Sequence, residues 1–160
     1  MKAVVYDRYG PPDALRVAEL PTPTPGPGQV LVQVLATSIN LSDWECLRGV
    51  PLYARIGGLR APARRTLGSD IAGRVQAVGR DVTRFRVGEE VYGDNLDLKG
   101  GFAEYAVAPE SVLAHKPETL TFAEASTLPQ AGAIARQGTT GWGLGALRKL
   151  VGPGGGPVSC

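Results

Sequence analysis

A chain of 160 residues with 43% apolar and 20% charged residues has material for one good core, and two complete domains would be crowded. Its formal charge of +2 is spread thinly, no basic stripe is interleaved with aromatics, and no apolar run approaches the ~20 residues of a bilayer span. Those features argue against a nucleic-acid partner and a membrane-spanning helix, and the opening MKAVVYD, acidic by Asp7 and without an apolar h-region, makes the cytoplasm the expected compartment, with Cys46 and Cys160 reduced.

Lys2 to Asp7 is a short apolar run and Leu15 to Leu20 alternates, so with a turn at Tyr9-Gly10-Pro11-Pro12-Asp13 they predict a hairpin at a barrel edge. Pro21, Pro23, Pro25 and Pro27, with Gly26 and Gly28, predict an extended surface arm, because proline has no N–H for a sheet ladder. Val30 to Ala36 is the most apolar strand candidate and is expected to be central. In the following segment, Ser42 and Glu45 stand at capping-box spacing, Asp43 falls in the first turn and Gly49 suits a left-handed stop, which predicts one short helix. Pro51 to Thr66 has no clear period and reads as a long loop bordering a pocket. Its Arg55, Arg60, Arg64 and Arg65 form either a solvated surface or an anion contact.

The stretch LGSDIAGRVQAVGRDVTRFRVGEEVYG, from Leu67 to Gly93, organises the rest. Ile71, Gly73, Val75 and Ala77 alternate with Ala72, Arg74 and Gln76, as in a strand with one face buried, and Gly73 inside it argues for a curled sheet. Val78-Gly79-Arg80-Asp81 supplies a turn, and Val91-Tyr92 starts another strand ending at Gly93. Further strands are expected at Phe102 to Ala108 and Val112 to Lys116. Thr121 and Glu124 then repeat the capping-box spacing, opening a helix that Pro129 breaks before a second helical stretch from Gln130 towards Gln137. The sum is a mainly β fold with short helices: a barrel over 1–120, a helical region over 121–138 and a glycine-rich, disordered tail over 139–160.

Taken in order, MKAVVYDRYG, PGPGQVLVQVLATSINLSD, the Leu67–Gly93 stretch, GGFAEYAVAPESVLAHKPETLTFAEAS and LPQAGAIARQG resemble the medium-chain dehydrogenase/reductases, within them the zinc-independent, quinone-oxidoreductase-like branch. The resemblance implies a GroES-like β-barrel catalytic domain, packed in full-length members against a Rossmann domain that carries NADPH. It also implies hydride transfer to a quinone, an enone or a carbonyl compound. Asn40 and Asp43 match the N-x-x-D of this branch, and by resemblance Asn40 faces the nicotinamide. A turn-forming Asn40 and a first-turn helix carboxylate at Asp43 are the structural alternatives. Trp44, Leu52, Tyr53 and Ile56 line the substrate side or belong to the core, and Leu128, Pro129, Gln130 and Gly132 lie where the family's interdomain helix approaches the cofactor.

The zinc-dependent branch has Cys, His and Glu where this chain has Asn40, Ser69 and Asp70, so no metal is expected; a catalytic zinc needs about three protein ligands. His115, the one histidine, reads as a surface residue, and Cys46 as inert packing. Gly141-Trp142-Gly143-Leu144-Gly145-Ala146 fits GxGxxA without a preceding strand, and Gly152 to Pro157 fits no phosphate loop, so the expectation is a chain truncated before its cofactor domain and inactive alone. The competing readings are a zinc-type alcohol dehydrogenase fragment that has lost its metal, and a non-catalytic β-barrel module associating, as a homodimer or with a partner, through the uncovered apolar surface around Leu128 to Ile134.

Overall fold

The computed structural model describes residues 1–55 and 58–139, and the chain divides into Met1–Gln130 and a second unit beginning at Ala131. Strand β1 (Lys2–Tyr6) and β2 (Leu15–Glu19) form the expected hairpin, with Lys2 opposite Glu19 and Tyr6 opposite Leu15. A turn of 3-10 helix at Pro12–Ala14 closes it, using proline at a position that needs no N–H donor.

Five strands make the main sheet: β3 (Gln29–Thr37), β4 (Asp70–Val78), β5 (Glu90–Asp94), β6 (Tyr105–Pro109) and β7 (Leu113–His115), in spatial order β6-β3-β4-β5-β7. All neighbours are antiparallel. β3 is therefore interior, as its apolar run requires, but β4 holds the middle place. The third of these expected strands starts three residues later than Phe102, because Gly101 to Ala103 turn to meet β1: the Val4 N–H donates to the Phe102 carbonyl at 2.8 Å. On the same segment the Glu104 N–H donates to Lys2 and the Glu104 carbonyl accepts the Val34 N–H, tacking hairpin to sheet. The expected barrel is thus an open one, since among the described residues no ladder joins β6 to β7.

The period-two alternation along β4 holds only in its second half. Asp70, Ile71, Ala72 and Gly73 are all buried, whereas Arg74, Val75 and Gln76 alternate. The reason is that helix α2 (Phe122–Ser126) packs on β3, β4 and β5 and covers the second face. Val30, Val32, Ile71, Val75, Phe85, Val91 and Leu113 fill the main core, and Tyr6, Leu47 and Leu67 form a smaller one beneath the hairpin, where half-buried Cys46 packs. Register shifts between Leu31 and Val32 and between Val34 and Ala36 bend the β3–β4 ladder.

Two helices depart from the predicted pattern in instructive ways. α1 spans Leu41–Arg48 and is capped by Asn40, two residues before Ser42, with Asp43 at the third helical position and Gly49 left-handed at φ 62° behind it. The capping box at Thr121 is as predicted: its hydroxyl accepts the Glu124 N–H at 3.2 Å, while Glu124 accepts the Thr121 N–H at 2.8 Å. Pro129 opens helix α3 (Pro129–Thr139), where its missing N–H costs nothing. The glycine-rich tail from 140 onward, with its expected disorder, lies outside the described residues, as does Ile56.

Candidate functional site

The carboxylate that begins β4 is fully buried, and three donors converge on it. Asp70 Oδ2 accepts from Asn40 Nδ2 and from Ser38 Oγ, both at 3.1 Å, and Oδ1 accepts the Gln130 backbone N–H at 3.1 Å. Asn40 is therefore held twice. Its side-chain amide faces Asp70, and its backbone N–H donates to Asp43 Oδ2 at 3.1 Å. Asp43 Oδ1 accepts the Gly68 N–H at 3.0 Å, which ties the helix start to the turn before β4. The structural alternative for Asp43 is what the fold shows: it is a first-turn carboxylate, and it also accepts the Asn40 N–H.

Lys99 was not legible as a site residue. Its chemical group is 3.4 Å from Asp43 Oδ1 and donates to Ser42 Oγ at 3.2 Å, and the residue is only 7% exposed. In the sequence it stands before Gly100-Gly101 and looks like a solvated turn lysine; no local pattern marks it as inward-facing. Ser42 in turn contacts the Gln130 side chain at 3.3 Å, and Gln130 Nε2 reaches Ser69 Oγ at 3.4 Å. Ser38, Ser42, Ser69 and Lys99 were missed as members of this network because the partners that draw them into it are 32 to 88 residues away.

The electrostatics follow from burial. Desolvation pushes the Asp70 carboxyl above the ordinary carboxylate range, against the pull of its hydrogen bonds from Asn40, Ser38 and Gln130, and the Asp43 charge pushes the same way as burial. Asp94 lies opposite Asp70 in the β4–β5 register and is raised too, first by burial and next by the Asp70 charge, with Gln130 and Lys99 drawing it back. Its Oδ1 is buried with no partner. A carboxyl raised in the folded state stabilises the fold below its unfolded value, near 3.8, and that contribution is lost as pH rises through the folded value. Asp94→Asn is accordingly expected to raise the melting temperature by a few degrees at pH 8 and to leave it nearly unchanged at pH 4, as measured by calorimetric scans.

The remaining predicted residues separate by exposure. Trp44 (46%), Leu52 (72%), Tyr53 (57%) and Leu128 (44%) are exposed, so none is core; Ile39 and Leu41, flanking Asn40, are exposed as well. The Tyr53 hydroxyl donates to Glu45 at 2.8 Å. Pro129 starts α3, Gln130 is buried in the network, and Gly132 belongs to the second unit. Of the loop arginines, Arg65 pairs with Asp7, Arg55 donates to Gly49 and lies over Tyr9, and Arg64 donates to Leu98. Most of that cluster is thus spent on internal contacts. Burial raises the Cys46 thiol, consistent with packing, and His115 is exposed beside Glu89. Among the described residues no group of three His, Cys, Asp or Glu side chains is arranged to hold a metal ion.

This is a strand-built frame with a buried polar network under a half-exposed asparagine, and it has known counterparts. A family model described as Alcohol dehydrogenase GroES-like domain matches residues 26–118, and the chain belongs to that family. It is 39% identical over 144 residues to the chloroplastic quinone-oxidoreductase QR1 of Triphysaria versicolor, covering 88% of this chain and 42% of that one. It is 34% identical to the chloroplastic NADPH-dependent alkenal/one oxidoreductase of Arabidopsis thaliana, covering 86% of this chain and 36% of the relative. The solved structure of the quinone oxidoreductase from Coxiella burnetii superposes with a TM-score of 0.77 at 34% identity, over 86% of this chain and 43% of that one. The branch is therefore the quinone-oxidoreductase-like one of the medium-chain dehydrogenase/reductases, and the chain spans about two-fifths of such relatives' length.

Proposed function

We propose that residues 1–130 form the substrate-side half of a reductase that uses NADPH and delivers hydride to a quinone, an enone or a carbonyl compound. The observation that carries this reading is Asn40: half-buried, fixed from below by Asp70 and Asp43, and flanked by the exposed apolar side chains of Ile39, Leu41 and Trp44. Such an arrangement fits a flat nicotinamide ring and a flat acceptor, which need one polar edge held rigidly and apolar walls that keep water out. When bound, the nicotinamide supplies the hydride.

The chain's own residues have the simpler work of placement. Asp70 keeps the Asn40 side-chain amide from turning and Asp43 fixes the Asn40 backbone, so the amide presents a constant edge. Trp44 and Leu128 offer apolar surface on which an aromatic acceptor can lie. A hydride and one proton convert a quinone to its hydroquinone, and no covalent intermediate with the protein is required.

The test joins this chain to the nucleotide-binding half of a relative and follows NADPH absorbance with duroquinone, whose methyl groups block addition of Cys46, and with an enone. Acceptor-dependent NADPH oxidation is expected, and Asn40→Ala is expected to lower kcat/KM by about tenfold to a hundredfold. A folded chimera that binds NADPH but reduces no quinone, enone or carbonyl compound would overturn the reading.

A further inference from the structure

The polar contacts around Asn40 close into a ring. Starting from Lys99 Nζ they run to Asp43 (3.4 Å), to the Asn40 N–H (3.1 Å), from Asn40 Nδ2 to Asp70 (3.1 Å), to the Gln130 N–H (3.1 Å), and from Gln130 Nε2 through Ser42 (3.3 Å) back to Lys99 (3.2 Å). We infer that Lys99 is a positioning residue for Asn40: its buried ammonium fixes Asp43 and Ser42, and through them the place where the Asn40 amide is presented. The inference rests on the reading of Asn40 as the polar edge that places nicotinamide and acceptor.

Two independent features of the fold support it. The first is backbone conformation, because Lys99 has φ 59°, a left-handed value that a residue with a long side chain rarely adopts. Buried Asn95 enforces it: the Lys99 N–H donates to the Asn95 carbonyl at 2.7 Å, Asn95 Nδ2 donates to the Lys99 carbonyl at 2.6 Å, and the same amide donates to Val107 in β6 at 2.9 Å. Chain that is held in an uncommon conformation on both sides aims this one side chain inward. The second is charge. Asp43 from α1, Asp70 from β4 and Asp94 from β5 bring three carboxylates to this region, and Lys99 is the cation that pairs with Asp43 and acts on Asp94. A buried ion pair is weak evidence for stability in itself, since its desolvation offsets its attraction. Its geometric effect is the more informative one: removing the ammonium leaves Asp43 with an uncompensated charge against the two backbone N–H groups that define the start of α1 and the turn at Gly68.

The experiment uses the full 160-residue chain and no cofactor. In Lys99→Met, hydrogen exchange at the Asn40 side-chain amide and the Gly68 backbone amide, read by nuclear magnetic resonance, is expected to accelerate at least tenfold, while amides of β2 and α2 keep their wild-type rates. Lys99→Arg, which retains a charged donor for Asp43, is expected to restore both sites to within about threefold. If Lys99→Met does not fold, the double variant Lys99→Met/Asp43→Asn removes both charges of the pair, and accelerated exchange at Asn40 is again expected. Unchanged exchange at Asn40 in a folded variant overturns the inference, as does a Lys99→Arg chain that behaves like Lys99→Met. Neither result bears on whether the chimera reduces quinones, so the two readings fail separately.

Discussion

Gly73→Ala is expected to lower the melting temperature by about 10 °C, the counterpart of a loss of ~3 kcal/mol in a chain of this size. A Cβ at position 73 would be driven onto the carbonyl oxygen of Gln33 in the neighbouring strand and would press on its carbonyl carbon and on Val32. Most overpacked positions relax because a flexible side chain gives way, at a cost of about 1–3 kcal/mol. Here the obstacle is backbone within the β3–β4 ladder, between the two register shifts, so relief requires the strands to separate. Thermal denaturation followed by far-ultraviolet circular dichroism measures the effect. A drop under about 2 °C would mean that the ladder is far more pliable than its register shows.

Asp70→Ala is expected to destabilise the chain by about 3 kcal/mol at pH 7, in urea titrations with unchanged m-value. Deleting this carboxylate removes the acceptor of the Ser38 hydroxyl and of the buried Gln130 N–H, and leaves Asn40 Nδ2 only the Ser38 oxygen at 3.3 Å. An unsatisfied buried donor costs about 1–3 kcal/mol, and the sum is reduced by the desolvation that the charged carboxylate no longer suffers. Asp70→Asn keeps the volume but turns one acceptor into a donor, and an intermediate loss is expected. A loss below about 0.5 kcal/mol for Asp70→Ala would show that the network is ornamental.

The two predictions concern residues that were legible to different degrees. Gly73 was visible in the sequence, because a glycine inside an alternating strand has few reasons to be there other than a close approach or a bend. The hairpin, the left-handed stop at Gly49 and the capping box at Thr121 were equally local in cause, and each is found where the residues put it. Misreadings arose where distant chain decides the outcome. Ser42 and Glu45 have capping-box spacing, yet Asn40 caps the helix, because Asp43 at the third helical position supplies the reciprocal acceptor and Asp70 is placed to hold the cap's own amide. Buried Lys99 and the double-sided burial of Ala72 depend on packing from elements that follow them or lie far off in sequence, and no short window contains that information. For the site, the residue types at 40 and 43 were readable and the ring that connects them was not.

An unclosed sheet has two margins, and margins invite other chains to continue the ladder. In this fold one margin is β7, only three residues long, and the other is β6, which ends on Pro109, a residue with no N–H to offer. A stranger approaching the first margin finds a template of three residues, and one approaching the second finds no donor at its last position. Leaving the barrel open carries a small hazard of intermolecular strand addition, and the edges themselves contain the safeguard.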